Sequence, residues 1–147
     1  MITYEVYKQN YLNTKETITK LLDPSMEEKF TLYTQNSNSF KVFQLIVKLV
    51  EEKVKNEPTN VESFNSEIPF PKAFNELTEL SYFKKAKALD YLAMVEAIEF
   101  NFEEKRKKYV KLNFNNLETF YNKMIKEWNS EEGIRLGLID EEEEELL

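Results

Sequence analysis

Apolar residues along this chain recur mostly at three- and four-residue steps, the period of an amphipathic helix. The clearest run holds Val42, Phe43, Ile46, Leu49, Val50 and Val54, with Lys48, Glu51, Glu52, Lys53 and Lys55 mostly on other faces. It predicts a helix that ends near Pro58. Upstream, Tyr4, Tyr7 and Tyr11 share helical spacing and predict a short helix over 3–12, although Ile2, Tyr4 and Val6 also alternate as a strand would. Asn13-x-x-Glu16 then has the form of an N-terminal capping box for a second helix, with Ile18, Leu21 and Leu22 on one face and Pro24 as its stop. Ser25-x-x-Glu28 opens another turn. Phe30, Leu32 and the threonines around them read equally as strand, so a minor β element is allowed near residues 28–34. The polar run 35–39 is a loop.

Residues 57–71 carry Pro58, Pro69 and Pro71 and form the longest expected loop. Ile68-Pro69-Phe70-Pro71 should be extended, because a residue before proline is pushed out of the α region. Phe64, Ile68, Phe70 and Phe74 give this stretch the character of a lid over the core. From Lys72 the pattern reads as helix for some forty residues, with a break near Ser81. Leu77, Leu80, Phe83, Ala86, Leu89, Ala93, Ile98 and Phe102 are its expected buried positions. Asn115-x-x-Glu118 caps the last helix, whose stripe is Leu117, Phe120, Tyr121, Met124, Ile125 and Trp128. The fold expected from these periods is all-α, an irregular bundle of about five helices.

Composition narrows the chemistry. The 147 residues include eleven Phe and eight Tyr, enough to fill one core, and a length suited to one domain. His and Cys are absent, which removes disulfides, Cys/His zinc sites, the cysteine nucleophile and the histidine base. The only glycines are Gly133 and Gly137, so residues 1–132 hold no glycine-rich phosphate cradle. Asp23, Asp90, Glu96 and Glu99 form no recognisable catalytic constellation. No catalytic residue, cofactor or metal is expected. The N-terminus lacks a signal-peptide pattern, and the most apolar stretch, 43–50, is short and carries Lys48. It falls well below the roughly 20 residues of a membrane span.

Charge is segregated. Residues 130–147 hold eight acids and one base, whereas 1–129 hold nineteen of each sign, so the whole net charge of −7 lies in the last eighteen residues. The chain therefore divides into a helical domain, 1–129, and an acidic terminal segment, 130–147. Leu138, Ile139, Leu146 and Leu147 flank Asp140, Glu141, Glu142, Glu143, Glu144 and Glu145. Apolar anchors beside carboxylates suit docking on a partner protein with a basic groove, and Trp128 offers a further contact. A second feature is the basic cluster Lys105, Arg106, Lys107 and Lys108 with Tyr109 and Lys111, which on a helix would neutralise phosphates. Against that, Glu103→Lys107 and Glu104→Lys108 are i,i+4 pairs of an ordinary solvated helix face.

The expectation is a non-enzymatic interaction protein: an adaptor, assembly factor, structural subunit or inhibitor, with homo-oligomerisation open. Nucleic-acid association through 105–111 is the alternative. Eighteen Lys against two Arg, with fourteen Asn, suggests an AT-rich genome. That fits a phage or mobile element of a low-GC bacterium, and a place in the bacterial cytoplasm or a virion.

Overall fold

The computed structural model describes residues 2–33, 38–58, 64–69, 77–103 and 106–128. It is mostly helical, with five α-helices and a three-stranded antiparallel sheet among the described residues.

The first helix, α1 (Tyr4–Leu21), is one continuous element, not two. Thr3 caps it by accepting from the Val6 N–H at 3.2 Å. Tyr4, Tyr7, Tyr11, Ile18 and Leu21 are its buried face. Asn13, expected to start a second helix, sits inside the first, where its Oδ1 accepts from Gln9 Nε2 at 2.8 Å. The Thr14 and Thr19 hydroxyls turn back to carbonyls one turn earlier, so neither interrupts the helix. A capping signal is local, and the buried stripe running through it prevails.

Pro24 stops α1 and also opens α2 (Pro24–Tyr33), the first-turn position where its missing N–H costs nothing. Asp23 accepts from the Ser25 N–H at 2.9 Å and the Ser25 hydroxyl at 2.7 Å, which hold its carboxyl below the usual carboxylate range. The strand allowed at 28–34 does not form over residues 28–33, which belong to α2. Met26 and Phe30, four residues apart and both buried, fix the helical period over the β preference of the neighbouring residues.

Helix α3 (Ser39–Lys55) confirms the strongest sequence pattern and is buried on most of its circumference. It packs against α1, α2, α4 (Tyr82–Met94) and the central strand. Tyr4 and Tyr11 of α1 reach it with their hydroxyls, Tyr4 donating to the Val54 carbonyl and Tyr11 to Glu51 Oε2 at 2.8 Å. Phe30, Phe43 and Phe120 form a triangle of rings with centroids 5.6–6.1 Å apart, joining α2, α3 and α5 (Leu117–Trp128). One hydrophobic core receives side chains from all the helices and from the sheet.

The forty-residue helix expected from Lys72 is where sequence and structure part. Ser81 caps α4, accepting from the Lys84 N–H at 3.2 Å, but the helix ends at Met94. Strands β2 (Ile98–Glu103) and β3 (Arg106–Leu112) follow as an antiparallel pair, and β1 (Ile68–Pro69) adds to the other side of β3. The register sets Ile98 opposite Leu112, Phe100 opposite Val110 and Ile68 opposite Val110. The chain is mainly α, as the periods predict, but its β structure is a three-stranded sheet in place of the minor element allowed near 28–34.

The junction explains the stop. Val95 is the C-terminal cap of α4 and Glu96 follows with φ 62°, the left-handed region that glycine usually fills. Glu96 N–H donates to the Ala93 carbonyl and Ala97 N–H to that of Leu92, at 3.0 and 2.9 Å, a paired closure that ends a helix. Asn113 and Asn116 lock the turn from the far end of the hairpin. Both Nδ2 groups donate to the Glu96 carbonyl, at 2.9 and 3.0 Å, and Asn116 also reaches the Val95 carbonyl at 3.3 Å. With no glycine there to mark the turn, the sequence gives little local warning. Asn113 leads into a short 3₁₀ turn, Phe114–Asn116, and then α5. The expected helix over this last stretch forms, with Asn115 inside the 3₁₀ turn.

Candidate functional site

The sheet redistributes the basic cluster. Residues 106–111 are strand, not helix: Arg106 begins β3 opposite Glu103, Phe102 faces Lys107, and the register skips Lys108 before Tyr109 meets Asn101. This bulge leaves the expected i,i+4 pairing of Glu103 with Lys107 without its helix. Arg106 is exposed, and Lys111 and Tyr109 are half-buried. Lys105 and Glu104 lie outside the described residues, as do the side chains of Lys107 and Lys108.

The terminal segment, with Leu138, Ile139, Asp140, Glu141, Glu142, Glu143, Glu144, Glu145, Leu146 and Leu147, also lies outside the described residues. Trp128 is the last residue of α5, and its side chain is outside them too. The rest of its stripe faces inward: Leu117, Phe120 and Met124 are buried, while Tyr121 and Ile125 pack half-buried against the core. Asp23 lies in the α1–α2 turn, Asp90 on the exposed side of α4, Glu96 in the left-handed turn and Glu99 on β2. Among the described residues no cluster of three or more acidic side chains could hold a metal ion.

Two features were not legible in the sequence. The first is a set of exposed apolar side chains: Tyr82 and Phe83 at 73%, Met94 at 71% and Phe102 at 62% of full exposure. Phe83 and Phe102 were expected in the core of the long helix. With that helix ending at Met94, the residues that fill the core are Leu89, Leu92, Ile98 and Val110. Phe102 shares a strand face with Ile98 and Phe100 but lies exposed past them.

The second feature is a cavity of about 670 Å³ between the start of α1, residues 64–67 and β2–β3 with the turn after them. Tyr7 borders it, its ring edge-on to Phe114 at 5.5 Å and tilted against Phe64 at 5.3 Å. Phe64 thus serves as part of the expected lid, half-buried against the core, with Ile68 fully buried behind it. Burial pushes the Tyr7 phenol far above its ordinary range, so it stays a neutral O–H donor. Glu99 and Lys111, partners across the β2–β3 ladder, line the same cavity.

Among the described residues no helix is long and apolar enough to cross a membrane. Neither the known protein families, nor the curated proteins, nor the solved structures contain a match to this chain.

Proposed function

We propose that this protein is a non-enzymatic interaction protein, an adaptor, assembly factor, structural subunit or inhibitor that works by binding another protein. The observation that carries this reading is the high exposure of large apolar side chains, Tyr82, Phe83, Met94 and Phe102. Aromatic residues and methionine are the types that interfaces favour, and each would bury apolar area on docking. Charge segregation adds to it: the acidic segment 130–147, anchored by Leu138, Ile139, Leu146 and Leu147, suits a basic groove on the partner. The lysine- and asparagine-rich sequence supports a phage or mobile element of a low-GC bacterium as the source, and hence the host cytoplasm or the virion as the place of action.

A test is capture from a low-GC bacterial lysate on immobilised full-length protein, beside the variant Phe83→Ser/Phe102→Ser. The wild type should retain a specific protein that the variant loses at least tenfold, with unchanged circular dichroism. Equal retention by both would refute the role of these side chains. Self-association through the same side chains would show instead as a concentration-dependent dimer that the variant abolishes.

The basic run at the β2–β3 hairpin supports a second reading, contact with nucleic-acid phosphates through Lys105, Arg106, Lys107, Lys108 and Lys111. A gel shift at two salt concentrations separates the readings, since phosphate contacts give a steep salt slope.

A further inference from the structure

Helix α4 has two faces of different character. Lys85, Ala88, Leu89 and Leu92 are its buried residues. About half a turn away, Phe83, Lys87, Asp90 and Met94 follow at steps of four, three and four residues, the spacing of a single helical stripe. All four are exposed, and the stripe begins and ends on a large apolar side chain. Lying opposite the buried face, it is the part of α4 that a second helix can approach. Its order is apolar, basic, acidic, apolar, and that order is its own complement when reversed. A two-fold axis level with the 88–89 peptide bond carries position 83 onto 94 and position 87 onto 90. Two antiparallel copies of α4 therefore match apolar with apolar and lysine with aspartate. Two parallel copies would set Lys87 on Lys87 and Asp90 on Asp90, like charges that disfavour that arrangement.

We propose that this stripe is the interface of a homodimer in which α4 pairs antiparallel with α4 of a second copy of the chain. Phe83 rests on the partner's Met94, a sulfur–aromatic contact made twice. Lys87 faces the partner's Asp90, also twice. The apolar ends supply the affinity, whereas exposed ion pairs contribute little and serve to fix the antiparallel register. A helix of 13 residues is about 20 Å long, so the contact is small and the dimer belongs to the weak class. The proposal rests on the reading above, that exposed apolar side chains meet protein. It names a second copy as the partner on α4 and leaves Phe102 and the acidic segment to a different one.

The experiment is sedimentation equilibrium of the full-length chain. The wild-type mass should rise from monomer towards dimer between roughly 10 μM and 1 mM, the range of a weak contact. Phe83→Ser should weaken self-association about tenfold or more, since it removes an anchor from both ends of the stripe. Lys87→Asp and Asp90→Lys should each weaken it about tenfold at low salt, because each sets like charges face to face twice. An equal mixture of these two variants should recover the wild-type dimer, because the two acids of one then face the two lysines of the other. Recovery on mixing cannot come from a misfolded variant. A wild type that stays monomeric to about 1 mM would overturn the proposal. A dimer indifferent to Phe83→Ser would do the same, as would charge variants whose mixture stays as weak as either alone. A monomeric chain that still captured another protein would overturn self-pairing and leave the reading above intact. A dimer with recovery on mixing and no captured protein would support self-pairing and count against the separate partner.

Discussion

Replacing Phe30 by Ala should cost about 3–5 kcal/mol, the usual range for emptying a phenylalanine site in a packed core. Phe30 is fully buried and its ring meets three others, Phe40 at 5.2 Å, Phe120 at 5.6 Å and Phe43 at 6.1 Å. It ties α2 to α3 and α5, so the cavity left behind would be lined by stiff rings that collapse poorly. A loss of that size is a large share of the roughly 5–15 kcal/mol that holds a typical domain together. Phe83→Ala and Phe102→Ala provide the contrast: both side chains are mostly exposed, and each change should stay within about 0.5 kcal/mol. Urea unfolding of the three variants decides it. A Phe102→Ala cost as large as that of Phe30→Ala would place Phe102 in a core, as a continuous helix from Lys72 requires and the hairpin forbids.

The second large effect is at the left-handed turn. Replacing both Asn113 and Asn116 by Ala removes three hydrogen bonds to the Val95 and Glu96 carbonyls and should cost about 2–3 kcal/mol. Glu96→Gly should act in the opposite direction, by about 1 kcal/mol, because glycine adopts positive φ without the clash of a β-carbon. The two changes should be coupled: once Gly occupies position 96, the turn no longer depends on the asparagines to hold it, and their removal should cost less. Strict additivity, or a loss of stability in Glu96→Gly, would show that the asparagines do not act by restraining this backbone.

These two sites also mark how far the sequence could be read. Where one periodic stripe lies on one helix, as at Val42–Val54 and Leu117–Met124, spacing alone identifies the element and its buried face. Helix α2 and the continuity of α1 were obscured by local signals, Asn13 and the β-formers near Phe30, that tertiary packing overrides. The hairpin was harder to see. Ile98, Phe100 and Phe102 alternate as a strand, but Leu89, Ala93, Ile98 and Phe102 also follow helical steps, so the pattern serves both. The deciding feature is a turn built from Glu96 and two distant asparagines, where the usual glycine signal is missing. Sequence likewise singled out Lys111 and Tyr109, but for a basic helix. Their meeting with Tyr7, Phe64 and Glu99 around one cavity depends on strand register, which no local pattern encodes.

The proposal of a protein-binding role rests on two separable parts, the exposed apolar side chains of the folded body and the acidic segment. The most direct measurement is the affinity of the captured partner for the full chain and for residues 1–129, each at low and at physiological salt. Truncation removes eight acids and one base. The full chain should bind at least tenfold more tightly than 1–129 at low salt, and its affinity should fall as salt rises while that of 1–129 changes little. Equal affinities with equal salt dependence would contradict the docking role of 130–147.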